Sequence, residues 1–195
     1  MILVTGATGN VGRELVPLLA SAGLPVRVLV RDKHRMGPIA DRIECVEGDL
    51  DRPETLGPAM RGIESVYIVS PLTQQVSNVL GAAKAAGVRR IVKQSTIEAD
   101  RSLGPGKWHR EQELLIETSG MEWTFLRPTL MMVNLIQWWG ETIRRQARVY
   151  FPGGKGKAVP VDPRDIASVA FGVLTRPGHK GQNLQSHRPT AAFGP

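Results

Sequence analysis

The chain has 195 residues, of which 42% are hydrophobic and 22% are charged, and its formal net charge is +7. This length and composition suit one globular domain with a substantial core. The single cysteine, Cys45, excludes an internal disulfide framework and a cysteine metal cluster. The sequence contains no apolar run long enough for a membrane span and no basic lead typical of a signal peptide, so the cytoplasm is the expected location. The basic residues are mixed with acids and form no nucleic-acid motif, which favours attraction of an anionic cofactor over nucleic-acid binding.

Strands and helices are predicted to alternate along almost the whole chain. Strands are expected at residues 2–5, 26–30, 43–46, 65–69, 90–94 and 123–126. Helices are expected at residues 11–21, in a short stretch ending near 39, and at 53–60, 73–86, 108–118, 130–145 and 163–174. Repeated strand–helix–strand units with short links predict an α/β fold, a doubly wound parallel sheet with helices on both faces.

Three glycines follow the first strand at the spacing Gly-x-x-Gly-x-x-Gly, at Gly6, Gly9 and Gly12. The first permits the tight turn, the second lets a phosphate approach the backbone, and the third allows the helix to pack closely on the strand. The free N–H groups and positive end of the helix then face an anion. Because a strand precedes this motif and a helix follows it, the motif predicts a dinucleotide pyrophosphate site.

The end of the second strand carries both an acid and several cations. Asp32 lies about 20 residues beyond the glycines, where an acid binds the ribose hydroxyls of NAD. Arg31 precedes it, and Lys33, His34 and Arg35 follow. We expect NADP(H) rather than NAD(H), because guanidinium groups bind phosphate in bidentate fashion. The alternative is a solvated basic loop in which Asp32 caps the next helix.

Polar residues and prolines stand at the ends of four later strands. They include Asp49, Ser70, Ser95 and Arg127. Since the carboxyl ends of parallel strands meet at one edge of the sheet, these groups are predicted to open on one crevice. Each group alone has a second interpretation, because polar residues and prolines end strands in general.

Four segments together resemble the NmrA-like branch of the atypical short-chain dehydrogenase/reductase superfamily. These are residues 5–12 (TGATGNVG), 48–50 (GDL), 120–128 (GMEWTFLRP) and 161–167 (VDPRDIA). The resemblance extends from residue 1 to about residue 184 and implies a Rossmann-type fold that binds NAD(P)H. Members of this branch include quinone and ketone reductases, isoflavone-reductase-like enzymes, and redox-sensing regulators that bind dinucleotide without turning it over.

The resemblance also implies which residues contact each part of the cofactor. The pyrophosphate is assigned to Gly6, Thr8, Gly9, Asn10, Val11 and Gly12. The phosphate on the adenosine side is assigned to Arg31, and the adenine to Asp49 and Leu50. The ribose and nicotinamide side is assigned to Val69, Ser70 and Pro71, and the nicotinamide itself to Pro128 and Thr129.

The catalytic residues depart from the pattern of the wider superfamily. Most short-chain dehydrogenases use Tyr-x-x-x-Lys, in which the tyrosine donates a proton to the carbonyl. This chain has only Tyr67 and Tyr150, and neither is followed by lysine four residues later. Tyr67 also lies in a strand that is predicted to be buried. A tyrosine acid is therefore expected to be absent.

The resemblance places His109 where related reductases carry the lysine. A histidine can donate a proton to a carbonyl, or bind a ribose hydroxyl, near neutral pH. Glu113, four residues later on the same helix face, is a candidate to orient it. Ser95 is a candidate to polarise a carbonyl oxygen, as the equivalent strand-end serine does in relatives. Alternatively, His109 and Glu113 form an ordinary surface pair at helical spacing.

The remaining features predict no further chemistry. The four histidines show no metal spacing. Residues 153–157 (GGKGK) lack the full phosphate-loop pattern and are interpreted as a hairpin or flexible loop.

Relatives usually continue into a helical portion that covers the substrate cleft. Here the domain is predicted over residues 1–184, with a tail over 185–195. Uncovered apolar surface then favours a homodimer or an open site.

Two functions are therefore expected. The first is an oxidoreductase that transfers hydride from NADPH to a quinone or ketone, aromatic ones included, with a proton from His109, Ser95 or water. The second is a dinucleotide sensor that binds a partner protein and does no chemistry. The missing tyrosine and the short C-terminus favour the sensor, whereas His109 favours the enzyme. A sugar-nucleotide epimerase requires the tyrosine and ranks behind both.

Overall fold

The computed structural model describes residues 1–101, 104–150 and 159–186. The strands are β1 (Ile2–Thr5), β2 (Val26–Val30), β3 (Glu44–Glu47), β4 (Ser65–Ile68), β5 (Arg90–Gln94), β6 (Glu122–Pro128) and β7 (Gln182–Ser186). They form one parallel sheet in the order β3-β2-β1-β4-β5-β6-β7. The predicted parallel sheet is confirmed, and the order reverses between β1 and β4, where such folds bind their ligands.

Helices cover both faces of this sheet. They are α1 (Gly12–Ser21), α2 (Leu56–Met60), α3 (Thr73–Ala85), α4 (Pro105–Glu117), α5 (Met132–Gln146) and α6 (Pro163–Thr175). Three 3₁₀ segments, Lys33–Arg42, Pro53–Thr55 and Ile97–Arg101, complete the described elements. One core cluster joins the sheet to α1 and α6, and a second joins its other face to α2, α3 and α4. The doubly wound architecture is confirmed.

The central strands β1 and β2 form because their sequences are mostly apolar and β-branched, with Arg27 as the charged exception. All four residues of β1 and all five of β2 are buried, as expected for a parallel sheet that is covered on both faces. Val4 of β1 pairs with Val28 on one side and with Tyr67 on the other. This register aligns the carboxyl ends of β1, β2 and β4, so the residues that follow them lie at one edge.

Local capping sets the start of α6 as the sequence predicts. The Asp162 carboxylate accepts a hydrogen bond from the Arg164 N–H at 2.8 Å, and Pro163 occupies the first turn. An Asp N-cap followed by Pro is a typical helix start. In the described part of the chain, no helix has both the length and the hydropathy that crossing a bilayer requires.

The C-terminal edge of the sheet differs from the sequence prediction. β6 continues through Pro128, two residues beyond the predicted end at 126, because its residues 124–128 pair with β7. β7 was not predicted, since its sequence QNLQS lacks a β-branched run and only pairing with β6 orders it. It includes residues 185 and 186, the first two of the predicted tail. The remainder of that tail and the 153–157 loop lie outside the described residues.

Candidate cofactor-binding and catalytic site

The turn after β1 has the geometry that the glycine motif predicts. Gly6 has φ +64°, and the Gly9 N–H donates to the Gly6 carbonyl at 2.9 Å. A Cβ on Gly12 would lie 2.1 Å from the Gly6 carbonyl oxygen, and one on Gly9 would lie 3.1 Å from it. Helix α1 begins without any side-chain cap, and the Arg13 N–H in its first turn donates to the Gly9 carbonyl at 3.1 Å. A compact turn leading to an uncapped helix fits the pyrophosphate of a dinucleotide.

The ends of β1 and β4 are tied together beside this turn. The Thr5 hydroxyl donates to the Tyr67 carbonyl at 3.1 Å and accepts from the Val69 N–H at 3.0 Å. A Cβ on Gly6 would lie 3.3 Å from Cβ of Val69, so the Val69 side chain stands directly against the turn. The structure therefore places Val69 next to the glycine motif, at the point where the strand order reverses.

A cleft of about 310 Å³ opens on the other side of the turn. Its lining includes Thr8 of the turn and two cations, Arg13 and Arg35. The Arg13 guanidinium also donates to the Asn10 side chain at 2.9 Å. Arg13 escaped sequence analysis because it lies within α1, three residues after Asn10, and is brought to the cleft only by the helical turn.

The end of β2 combines the two interpretations considered above. The Asp32 carboxylate accepts from the His34 N–H at 2.9 Å and so caps the 3₁₀ segment Lys33–Arg42, as in the alternative interpretation. That segment carries Arg35 into the cleft. Arg31 is exposed at the end of β2 and does not line the cleft.

The predicted adenine residues stand in an ordered turn after β3. The Asp49 N–H donates to the Thr55 hydroxyl at 2.9 Å, and its carboxylate accepts from the Asp51 N–H at 3.0 Å. The Leu50 carbonyl accepts from the Asn78 side chain at 2.8 Å. These bonds fix the backbone of the turn, and the adenine contacts themselves stay predictions.

The predicted nicotinamide-side residues follow β4 and β6. Ser70 is buried, and its hydroxyl donates to the Gln75 side chain at 2.6 Å and accepts from the Leu72 N–H at 3.0 Å. Pro128 belongs to β6, and the Thr129 hydroxyl donates to the Val159 carbonyl at 2.6 Å. Pro71 follows Ser70 and is exposed. Their cofactor contacts stay predictions.

A buried ion pair lies between α4 and β6. The Arg127 guanidinium binds the Glu113 carboxylate in bidentate fashion, with N–O distances of 2.7 and 2.9 Å. The two side chains are 3% and 0% exposed. The Ser95 hydroxyl donates to Glu113 at 2.6 Å, and Arg110 reaches the same carboxylate at 3.1 Å. Arg127 also pairs with Asp100.

This pair holds Glu113 in its charged form. Burial by itself raises the pKa of Glu113, but hydrogen bonds from Arg127 and Ser95, together with the Arg127 charge, lower that pKa overall. The structure thus brings two of the strand-end residues, Ser95 and Arg127, together on the Glu113 carboxylate of α4. However, the Ser95 proton is directed to Glu113 rather than to a substrate. Among the described residues, Glu113 hydrogen-bonds to Ser95, Arg110 and Arg127 and not to His109.

The described partner of His109 is a residue that sequence analysis missed, Lys93 of β5. The Lys93 side chain is completely buried, and its ammonium nitrogen donates to the Gln94 carbonyl at 2.9 Å and lies 3.4 Å from His109 Nδ1. The sequence signal that could have identified Lys93 is a lysine inside a strand that is predicted to be buried on both faces. The sequence does not show that α4 brings His109 beside this lysine.

Burial changes the charge of both groups. It lowers the pKa of Lys93 to about 7, against the opposing charge of Glu113. Burial and the nearby Lys93 charge lower the pKa of His109 to about 4, with Glu113 again opposing. His109 is therefore neutral at neutral pH. It can offer a hydrogen bond from one ring nitrogen, but it is not a ready-made imidazolium acid.

The expected absence of a tyrosine acid is consistent with where the tyrosines lie. Tyr67 is completely buried, its hydroxyl donates to the Gln94 side chain at 2.7 Å, and burial raises its pKa. Tyr150 is exposed, and its hydroxyl contacts the Gln146 side chain at 3.0 Å. Among the described residues, no cluster of His, Cys, Asp and Glu could hold a metal ion.

A family model described as NAD(P)H-binding matches residues 6–177. The chain belongs to this NAD(P)H-binding family. The NAD(P)H azoreductase of Xenophilus azovorans is 39% identical to it, over 100% of this chain and 70% of that protein. Citrobacter sp. triphenylmethane reductase, solved in complex with NADP(H), superposes with a TM-score of 0.83 at 29% identity, over 93% of this chain and 68% of that one.

A further solved relative is the NADPH-dependent quinone oxidoreductase of Escherichia coli in complex with NADPH. It superposes with a TM-score of 0.84 at 28% identity, over 94% of this chain and 68% of that one. These matches confirm the NmrA-like resemblance, the Rossmann-type fold and the NAD(P)H cofactor. They show that this member of the family is of the NAD(P)H-dependent oxidoreductase kind.

Proposed function

We propose that the protein uses NADPH to reduce a quinone or ketone, with aromatic acceptors among its substrates. Its relatives include an azoreductase, a triphenylmethane reductase and a quinone oxidoreductase. Quinones and the substrates implied by those names are conjugated acceptors. The reduced nicotinamide supplies the hydride when it is bound, and the chain supplies binding, orientation and a proton.

The observation that carries this proposal is the state of His109. It is half-buried, neutral at neutral pH, and held at Nδ1 by Lys93. Among the described residues, its other ring nitrogen, Nε2, has no hydrogen-bond partner and is not completely buried. A ring nitrogen that is held in place and is free of partners among the described residues suits, when it carries the proton, donation to an oxygen of the substrate.

The preference for NADPH is supported by charge at the cleft beside the glycine turn. Arg13 and Arg35 both line it, and Arg31 stands exposed at the end of the neighbouring strand. Two guanidinium groups beside the first turn of α1 can each donate two parallel hydrogen bonds to a phosphate. NADPH differs from NADH by such a phosphate on the adenosine ribose, so this cleft favours NADPH.

The test is turnover by the purified protein. NADPH is mixed with a panel of quinones, azo dyes and aromatic ketones, and its oxidation is followed by nicotinamide absorbance. We expect oxidation with at least one acceptor class and a loss of roughly 100-fold in kcat in His109→Gln, the typical size of a proton-transfer contribution. The control is Glu141→Gln, which alters an exposed pair with Arg145 and is expected to leave turnover unchanged.

The dinucleotide sensor stays the second candidate. It is favoured by the absence of the Tyr-x-x-x-Lys pattern from the sequence, and the completely buried Tyr67 offers no substitute acid. Tight NADPH binding in calorimetry, with no oxidation across the whole panel, would support the sensor and contradict the enzyme. Failure to bind any adenine dinucleotide would contradict both.

A further inference from the structure

Lys93 is an unexpected residue at its position. It alternates on β5 with Val92 and faces the same side of the sheet as Ile91, toward the helices α3 and α4. The buried face of α3 is apolar, and the Lys93 side chain is 0% exposed. Burying an ammonium group is costly, and an apolar side chain of the same length would avoid the cost. A buried lysine beside a histidine, both with shifted pKa values, is typical of a functional site.

The hydrogen bonds of Lys93 define how His109 is held. The ammonium has three donors and no acceptor. One donor goes to the Gln94 carbonyl at 2.9 Å, and a second points to His109 Nδ1 at 3.4 Å. A charged Lys93 requires Nδ1 to be the acceptor, so the single proton of the neutral ring must then sit on Nε2.

We propose that Lys93 is a positioning residue that holds His109 in its Nε2–H tautomer and replaces the proton that His109 passes to the reduced substrate. This inference rests on the proposed function, because it assigns the source of the proton in that reaction. It extends that function to a buried residue that does not itself contact the substrate.

The proton transfer balances. The substrate accepts a hydride, and with it two electrons, from the reduced nicotinamide, which leaves negative charge on a substrate oxygen. That oxygen takes the proton from Nε2 while Nδ1 takes a proton from the Lys93 ammonium, so the ring remains neutral in the other tautomer. Solvent then returns one proton to Nε2, and Nδ1 returns its proton to Lys93. The sum is one hydride and one solvent proton per reduced substrate.

Without Lys93, this step would be difficult for a neutral imidazole. Donation from Nε2 with nothing to protonate Nδ1 would leave an imidazolate anion, and the ring of the folded protein holds no second proton at neutral pH, since burial and the Lys93 charge lower the pKa of His109 to about 4. A proton on Lys93, 3.4 Å from Nδ1, removes this obstacle.

The surrounding charges set the pH range in which Lys93 can act. Glu113 of α4 is the acid that favours its charged form, and the carboxylate is itself paired with Arg127 of β6 and Arg110 of α4. Asp100, in the 3₁₀ segment before α4, pairs with Arg127. Burial nevertheless lowers the pKa of Lys93 to about 7. Its proton is therefore present below about pH 7 and is lost as the pH rises through that value.

The first experiment reads the histidine ring directly and requires no turnover. The ring nitrogens of wild-type protein are followed by NMR across this pH range, and His109 is assigned by its loss in His109→Gln. We expect the Nε2–H tautomer at pH 6, and a change at Nδ1 with a midpoint near pH 7 that does not reflect protonation of the ring. In Lys93→Met that change should be absent, whereas it should persist in Lys84→Met, which removes an exposed lysine of α3.

The second experiment measures kcat against pH in the same variants. We expect the wild-type rate to fall above about pH 7, and Lys93→Met to lose at least 10-fold at pH 6 together with this pH dependence. In a His109→Gln background, Lys93→Met should cause no further loss, because Lys93 acts only through His109. Lys84→Met should keep the wild-type profile.

Two results would overturn the proposal. One is an Nδ1–H tautomer of His109 in wild-type protein at pH 6, which needs no variant to fold. The other is a pH response of His109 that is unchanged in folded Lys93→Met. If the protein binds NADPH but reduces no acceptor, the proposed function fails, and the NMR experiment still decides whether Lys93 controls the tautomer of His109.

Discussion

At the residue scale, the Glu113–Arg127 pair is the main electrostatic feature of the carboxyl edge. Both side chains are almost completely buried, and the carboxylate is further satisfied by Ser95 and Arg110. A buried pair of this kind adds little stability relative to apolar residues, but removal of one partner leaves a buried charge uncompensated. The pair also joins α4, which carries His109, to the end of β6.

We expect Glu113→Gln to destabilise the fold strongly. The substitution leaves Arg127, which is 3% exposed, with only the half-exposed Asp100 as an acidic partner among the described residues. The free energy of unfolding, measured in urea, should fall by ~3–5 kcal/mol. The matched control is Glu141→Gln, whose pair with Arg145 is 66% and 76% exposed. It should change the unfolding free energy by less than about 0.5 kcal/mol. Equal small losses in both variants would contradict this role for Glu113.

The same pair predicts how stability depends on pH. Because the pKa of Glu113 is lower in the folded protein than in the unfolded chain, its contribution is present above the unfolded value and is lost as the pH falls through the folded value. Urea unfolding at successively lower pH should show this loss in wild-type protein, and a smaller loss in Glu113→Gln. Identical acid profiles for the two proteins would contradict it.

At the element scale, α1 and the 3₁₀ segment after β2 line opposite parts of the cleft beside the glycine turn, which is the proposed site of the additional phosphate of NADPH. Helix α1 supplies Arg13 and the 3₁₀ segment supplies Arg35, so both elements are needed to bring the two cations together. The capping of the segment by Asp32 fixes its start and thereby the position of Arg35. Selectivity between the two cofactors is therefore expected to depend on this segment as much as on the strand end itself.

We expect Arg35→Ala to weaken NADPH binding by roughly 10-fold or more, which corresponds to the loss of one charge-assisted hydrogen bond. NADH binding should change far less, because NADH lacks the additional phosphate. Arg31→Ala should show the same selectivity if Arg31 reaches this phosphate. Calorimetry with both cofactors measures the two dissociation constants.

The control for these variants is Lys84→Ala, which removes one exposed charge in the last turn of α3. That turn lies at the opposite edge of the sheet from the site. Equal losses for NADPH and NADH in Arg35→Ala would contradict the NADP preference at this position, and a loss in Lys84→Ala would indicate a general charge effect.

At the scale of the whole molecule, α5 is the helix least covered by the domain. None of its residues is fully buried, and Met132, Ile136 and Ile143 are 47%, 73% and 48% exposed. Their spacing of four and seven residues places them on one face of the helix. A contiguous apolar face of this kind favours association with another surface.

We expect the protein to form a homodimer through this face. Sedimentation velocity over a range of concentrations should show a monomer–dimer equilibrium, and Ile136→Glu should weaken it by about 10-fold or more, since it places a charge in an apolar contact. Gln137→Glu adds the same negative side chain at the next position, which is also exposed, and serves as the control. A monomer at all concentrations, or equal effects of the two variants, would contradict this prediction.

Sequence by itself determined the features that depend on neighbouring residues. Short residue spacings predict three of these features. They are the turn at Gly6, Gly9 and Gly12, the alternation of strands and helices, and the helix cap at Asp162. Local backbone sterics and side-chain period decide these features, so a linear pattern predicts them. The parallel sheet and the NAD(P)H site follow from the same patterns, because a strand, a glycine turn and a helix in that order constrain the arrangement of the backbone.

Only the tertiary structure decided which distant residues meet. Lys93 and His109 are 16 residues apart, and Glu113 and Arg127 are 14 apart, on different elements in each case. In the structure, Glu113 pairs with Arg127 and accepts a hydrogen bond from Ser95. The described partner of His109 is Lys93 instead. Strand β7 likewise depends on its pairing with β6. No local pattern encodes such contacts, because packing of α4 against the sheet and pairing at its edge create them, and burial then sets the charge of each group.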